Sequence, residues 1–358
     1  MAGFFFAATS LVASNLPLFR FALERWPAEN YEVVVFHRGA LEGEEQGLVD
    51  TLQEAPGKLG ANFAVRHVDL LSQMDEPMQS MWNAQHNAQS PWLIVRAPKS
   101  TEEAPPVWAG PLKPEAVSAL LDSPARRKIA ERLLRGESAV WVLLECGDTV
   151  RDEAAVDLLS AELKDLANQL RLPPAAAGDS PLQSPLPLRV AFSLVRVTRN
   201  DPAEGFFVNL LLHGEPLSQN KPAAFAVFGR GRTLAPLSGR GLDEWSVQEA
   251  CTLLVGDCSQ EAKDATPGKD LLLAANWNSI FEKPAPVASS SASAPPQSPP
   301  AIALDQKSPV PEPTGNTPAT ARRDLWRKFV RTGGVVIGLL VLSIALLARR
   351  VRRKPPLG

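Results

Sequence analysis

In the stretch SPWLIVRAP, Ser90 to Pro98, a proline stands directly before an uninterrupted apolar run. Proline fixes φ and donates no backbone hydrogen bond, so a sheet tolerates it at the first residue of a strand and not in the middle of one. The run behind it has the continuous apolar character of a strand covered on both faces. The same arrangement recurs in KPAAFAVFGRG, where Pro222 precedes another apolar run. Each half of the chain must therefore build a buried sheet around a strand that a proline opens.

The flanking sequence supplies the rest of each sheet. In the first half YEVVVFHRG reads as a strand, and LEGEEQGLVDTLQEA follows with helical spacing at Leu41, Leu48 and Leu52. NFAVRHVDL alternates as a second strand, and EPMQSMWNAQH reads as a helix. SPWLIVRAP, PVWAG and KPEAVSALLDS complete the order β-α-β-α-β-β-α. In the second half AVWVLLECG is a strand, and DEAAVDLLSAELKDLANQL places Ala155, Leu159, Leu163, Leu166 and Leu170 on one stripe. PLRVAFSLVRV is a strand, and DPAEGFFVNLLLH opens with an Asp cap and a proline. KPAAFAVFGRGRTLAPLSG gives two strands across a Gly-rich turn, and LDEWSVQEACTLLVG closes as a helix. The stretch VFGRGRTLAPLSGRG parallels IVRAPKSTEEAPPVWAG with a shorter turn.

This element order, with a proline heading the third strand, resembles the thioredoxin fold, and it occurs twice between Asn15 and Gly256. The resemblance implies cis peptide bonds before Pro91 and Pro222, because X–Pro is the bond at which cis is cheap. The expected class is α/β: two tandem thioredoxin-like domains, a Pro-rich linker and a single C-terminal transmembrane helix. The expected boundaries are 15–135 for the first repeat and 136–283 for the second with a C-terminal extension. LPLFRFALERWP and YEVVVFHRG also resemble the openings of a family of exported, membrane-tethered bacterial proteins, a likeness that implies no activity.

Thioredoxin chemistry, which the resemblance would imply, requires C-x-x-C after the first strand. The helix N-terminus there lowers the pKa of one thiol, and the second resolves the mixed disulfide. The first repeat reads FHRGALEG and has no cysteine there. The second reads LECGDTVRD, with Cys146 alone and Asp148 placed to oppose a thiolate. Cys146 is thus a weak catalytic candidate, better read as an idle thiol than as a monothiol or peroxide-sensing centre. Cys251 and Cys258 stand at the end of a helix with the spacing of a candidate disulfide that would pin the second repeat.

Other motifs imply little chemistry. His37, His67, His86 and His213 are scattered without metal-ligand spacing, so no metal site and no cofactor are expected. The GRGR turn around Gly229 precedes a strand and not a helix, so it is no phosphate loop. Arg230, Arg232 and Arg240 are a candidate basic patch or a solvated edge. Glu44–Glu45 and Glu102–Glu103 read as solvated faces, and neither G-x-S-x-G nor H-E-x-x-H occurs. WNSIF, Trp277 to Phe281, reads as an apolar strap packed on the second repeat. The net charge of -2 gives no whole-chain attraction to nucleic acid.

The two ends point to a membrane. Ten of the 33 prolines fall between Pro284 and Pro318, in a Pro/Ser/Ala segment (284–320) too poor in large apolar groups to bury a core. A basic segment, 321–332, precedes the uncharged run Gly333–Ala348, and a basic tail, 349–358, follows it. As a helix that run spans roughly 24 Å, and snorkelling by Arg331 and Arg349 extends its reach toward a ~30 Å hydrocarbon core. The basic flanks balance, so they do not set orientation. GFFFAATSLVA has the apolar centre of a signal peptide without the basic start, which makes 1–14 a candidate leader. The expected placement is a single-pass membrane protein with its globular part outside the cytoplasm; the alternative is a cytoplasmic protein with a C-terminal tail anchor. The expected function is non-enzymatic: two degenerate thioredoxin-like domains presented to a protein partner. The alternative is a thiol oxidoreductase or redox sensor using Cys146 or the Cys251/Cys258 pair.

Overall fold

The computed structural model describes residues 14–174, 181–258, 263, 266 and 268–282. The chain divides into two units, Met1–Val287 and Ala288–Gly358. The candidate leader up to residue 13, the Pro/Ser segment, the basic flanks and the apolar run Gly333–Ala348 lie outside the described residues. Among the described residues no helix is long and apolar enough to cross a membrane.

The fold is mixed α/β. It opens with β1 (Ser14–Pro17) and α1 (Leu18–Arg25). The first half follows as β2 (Tyr31–His37), α2 (Gly43–Leu59), β3 (Phe63–Asp69), α3 (Glu76–Asn83), β4 (Trp92–Arg96), β5 (Trp108–Pro111), α4 (Pro114–Leu121) and α5 (Pro124–Leu134). The second half is β6 (Ala139–Glu145), α6 (Thr149–Gln169), β7 (Phe192–Thr198), α7 (Gly205–Leu212), β8 (Ala223–Phe228), β9 (Arg232–Thr233), β10 (Leu237–Ser238) and α8 (Glu244–Val255). Short strands β11 (Asp257–Cys258) and β12 (Lys269–Asp270) precede a terminal 3₁₀ turn, Trp277–Phe281. Helix starts follow their caps: Asp75 accepts from the Met78 N–H (3.1 Å), and Asp243 from that of Ser246 (2.8 Å).

Each half carries one main sheet. In the first the order is β3-β2-β4-β5, with β2 and β3 parallel and β4 antiparallel to both of its neighbours. In the second it is β12-β9-β8-β6-β7, with β6 and β7 parallel and β8 antiparallel to β6. β10 adds to β8 from outside that path. Pro91 and Pro222 stand immediately before β4 and β8, as the sequence predicts. The Ser90–Pro91 bond is cis. The Lys221–Pro222 bond is trans, contrary to expectation; in this half the strand start is met with an ordinary peptide.

The layers follow from alternation along the strands. Trp141 and Leu143 of β6 face one cluster, with α1, α6 and α8, while Val140, Val142 and Leu144 face the other. That second cluster is shared: it joins β6 and β8 to Val33 and Val35 of β2 through α2, α4, α5 and α7. Val34, Phe36 and Ile94 turn the far face of the first sheet toward Met78 of α3.

The first and last described segments cross over between the halves. β1 pairs with β11, and α1 buries Leu18, Phe19, Phe21 and Ala22 in the outer cluster of the second half. The Arg20–Glu24 pair on α1 is fully buried (2.8 Å). Arg20 donates to the Ser184 and Leu186 carbonyls (2.9 and 2.8 Å), and Glu24 accepts from the Gln183 and Ser184 N–H groups (2.8 and 3.1 Å). These bonds offset the desolvation of both charges and fasten the 181–186 segment to α1.

The strap at 269–282 returns to the first half. The Asn62 amide donates to the Leu271 carbonyl (3.1 Å) and accepts from the Leu273 N–H (2.9 Å); Tyr31 donates to the Asp270 carbonyl (2.7 Å). Buried Arg126 of α5 donates to the Leu120 and Leu272 carbonyls (2.8 and 3.3 Å). WNSIF thus packs beside α5 of the first half as well as against the second half, where the Ser184 hydroxyl donates to the Ile280 carbonyl (2.6 Å) and Trp277 and Ile280 complete the shared cluster.

Candidate functional site

The loops that leave β2 and β6 each follow a central strand that pairs with a strand headed by a proline, β4 and β8 respectively. After β6 the chain reaches Cys146, half-buried at the head of α6. Both carboxylate oxygens of Asp152 are turned into this loop. They accept from the backbone N–H groups of Cys146 and Gly147, each at 2.9 Å. Asp148 caps α6, accepting from Val150 and Arg151 (3.1 and 3.2 Å). A helix N-terminus ordinarily favours a thiolate. Here two carboxylates already hold the N–H groups that a thiolate would use. Burial pushes the Cys146 thiol up, and the hydrogen bond and charge of Asp152, then the charge of Asp148, push it the same way against one opposing backbone hydrogen bond.

Sequence reasoning names Asp148 as the opponent of the thiolate and misses Asp152, which is the fourth residue of α6 and buried. Its role depends on the turn bringing the carboxylate back under the loop. The turn also explains why Asp152 is tolerated inside: both of its oxygens are hydrogen-bonded. Arg199 lies across from it, with Nε donating to the Glu145 carbonyl (3.0 Å) and Nη2 to those of Ser218 and Lys221 (3.4 and 3.2 Å).

The two cysteines of the candidate disulfide are free thiols in this structure. Cys251 is a buried thiol on α8 and Cys258 a buried thiol in β11, and no disulfide joins them. Cys251 points from the helix into the outer cluster beneath Trp141, whereas Cys258 is carried off by the β1–β11 pairing. Burial pushes the Cys251 thiol up to about 12.

In the first half β2 ends on His37, and no cysteine follows it in the loop. His37 Nδ1 donates to the Gly39 carbonyl (2.7 Å), and Asp69 Oδ1 accepts from the N–H groups of Gly39 and Leu71 (2.9 Å each). The parallel register sets His37 beside Asp69 and brings the His37 and His67 rings to 6.0 Å, edge to face. Burial, then the neighbouring His37, lowers the His67 pKa. The sequence spacing hides this pair, and only the β2–β3 register reveals it. Among the described residues no group of three or more His, Cys, Asp or Glu side chains is placed to hold a metal ion.

The three arginines of the candidate basic patch separate. Arg230 donates to the Leu23 and Glu24 carbonyls (2.9 and 3.3 Å), and buried Arg232 pairs with Asp270 (3.0 Å). Arg230 and Arg232 line a small cavity with Lys263 and Asp270, whereas Arg240 lines a separate groove, of about 630 Å³, beside Pro222 and the first turns of α6. No family model matches this chain, and no curated protein matches it.

Proposed function

We propose that the chain is a membrane-tethered, non-enzymatic interaction protein built from two degenerate thioredoxin-like units. The observation that carries this reading is the state of the one thiol in the family's catalytic position: Cys146 is held protonated by burial and by Asp152. The corresponding loop of the first half offers His37 and no thiol. Two-electron exchange needs an ionised attacking thiol and a second thiol to resolve the intermediate. The recurring sheet order, with a proline before β4 and β8, supports the repeat reading. The uncharged run Gly333–Ala348 and its arginine flanks support a tether, with the Pro/Ser segment as a spacer and the globular part outside the cytoplasm.

One preparation tests both parts. Membranes from cells making the full chain are washed with carbonate, and the retained protein is extracted in detergent and assayed for insulin reduction. The chain is expected to remain in the washed membranes and to show no turnover above its Cys146→Ser variant. Recovery in the wash removes the tether, and turnover lost in the variant replaces the interaction reading with the redox one.

A further inference from the structure

The groove beside Pro222 gathers three cationic side chains. Arg151, Lys221 and Arg240 line it, around an apolar floor that includes Leu158, Pro222 and Leu242. Arg151 is pinned at one edge: Nη1 donates to the Asn220 carbonyl (2.6 Å) and Nε pairs with Asp148 (3.2 Å). Among the described residues no carboxylate lies within ion-pair distance of Lys221 or Arg240. Gly239 has φ +61, and a Cβ there would meet Lys221 Cδ at 3.1 Å and Nζ at 3.3 Å. The missing side chain leaves room for the lysine stem to lie along the groove wall. Two cations without a counter-charge and a third already fixed in place, over an apolar floor, form a surface whose complement is anionic and partly apolar.

We infer that this groove binds an extended acidic segment of a protein partner, with carboxylates on the three cations and an apolar side chain between them. The inference rests on the interaction-module reading and gives that module a site and a partner chemistry. A nucleic-acid strand fits less well, because this groove has no aromatic lining on which bases would stack and the chain has a net charge of -2.

The test is a fluorescence-anisotropy titration of the full chain in detergent with a labelled octapeptide alternating Glu and Leu. The controls are the same peptide with Gln for Glu and a twelve-nucleotide oligodeoxythymidine. Binding of the Glu peptide is expected to weaken about fivefold in Lys221→Gln or Arg240→Gln and about twentyfold in the double variant. Added salt should weaken it as well. Arg127→Gln, which alters an exposed cation on α5, should leave it unchanged. Equal binding of the Gln peptide, indifference to the double variant, or displacement of the Glu peptide by the oligonucleotide at lower concentration overturns the inference. Insulin-reduction turnover in the same samples bears on the interaction reading alone, so the two failures are distinguishable.

Discussion

Cys251 is fully buried, and the energy of keeping its thiol neutral becomes visible at high pH. In the unfolded chain the thiol ionises near its ordinary 9.0, while in the fold burial pushes it up to about 12. Between those values the unfolded state releases a proton that the native state keeps. The contribution of this group to stability is therefore complete below about pH 9 and declines as pH rises toward 12. Other ionising groups act on wild type and on Cys251→Ala alike, so the difference between the two isolates the thiol. The stability advantage of wild type over Cys251→Ala should shrink by about 1 kcal/mol between pH 9 and pH 10. Urea midpoints at a series of pH values measure this, and parallel curves for the two proteins would refute it. Cys146, half-buried beside Asp152, is the weaker version of the same effect.

At the scale of elements, legibility in the sequence divides by range. The strands β2, β4, β6 and β8 announce themselves by apolar runs and β3 by alternation, and Pro91 and Pro222 mark two of their starts. The stripe Leu159–Leu163–Leu166 does the same for α6, and all three residues are buried. The helix α5 escapes such a reading because its sequence, PARRKIAERLL, is dominated by charge; its buried face is only Ala125, Ile129, Ala130 and Leu133 with the caged Arg126. The strap and the β1–β11 pair are invisible locally, since their partners are far away in sequence: Asn62 holds Leu271 across 209 residues. At the site, Cys146 is legible and Asp152 is not, because the lock depends on a turn and not on spacing. Gly60 is where the strap depends on a single local conformation. It ends α2 at φ +68, and a Cβ would come within 2.3 Å of the Ala275 carbonyl oxygen. Gly60→Ala adds left-handed strain to a backbone collision, so a loss of about 2 kcal/mol or more is expected. Limited proteolysis should then cut within 269–282 earlier than in wild type. An unchanged urea midpoint and digestion pattern would mean that the strap does not depend on this contact.

For the molecule up to Val287, the consequence of the crossing of α1 and the 269–282 strap is cooperativity. The N-terminal helix α1 is buried against the second sheet, and the C-terminal strap closes over the first half. The cluster between the sheets draws on both: Val33, Val35 and Leu52 from one side, Val142, Phe207 and Phe225 from the other. Glu204 of the second half accepts from the Ala125 N–H at the head of α5 (2.7 Å), so the halves share hydrogen bonds as well as apolar surface. Unfolding either half alone would expose that cluster on the half left behind. At about 1.5–3 kcal/mol for each large apolar side chain, stranding several of them costs an amount comparable with a typical domain's whole margin of about 5–15 kcal/mol. One transition is therefore expected for this unit, although its length would accommodate two domains. The measurement is urea unfolding of the full chain in detergent, followed by tryptophan fluorescence and by far-ultraviolet circular dichroism. Coincident single transitions are expected. A Leu52→Ala change in the first half should shift the whole curve by about 2–5 kcal/mol, not a part of it. Two separated transitions, or a Leu52→Ala effect confined to one of them, would show that the halves unfold as independent domains.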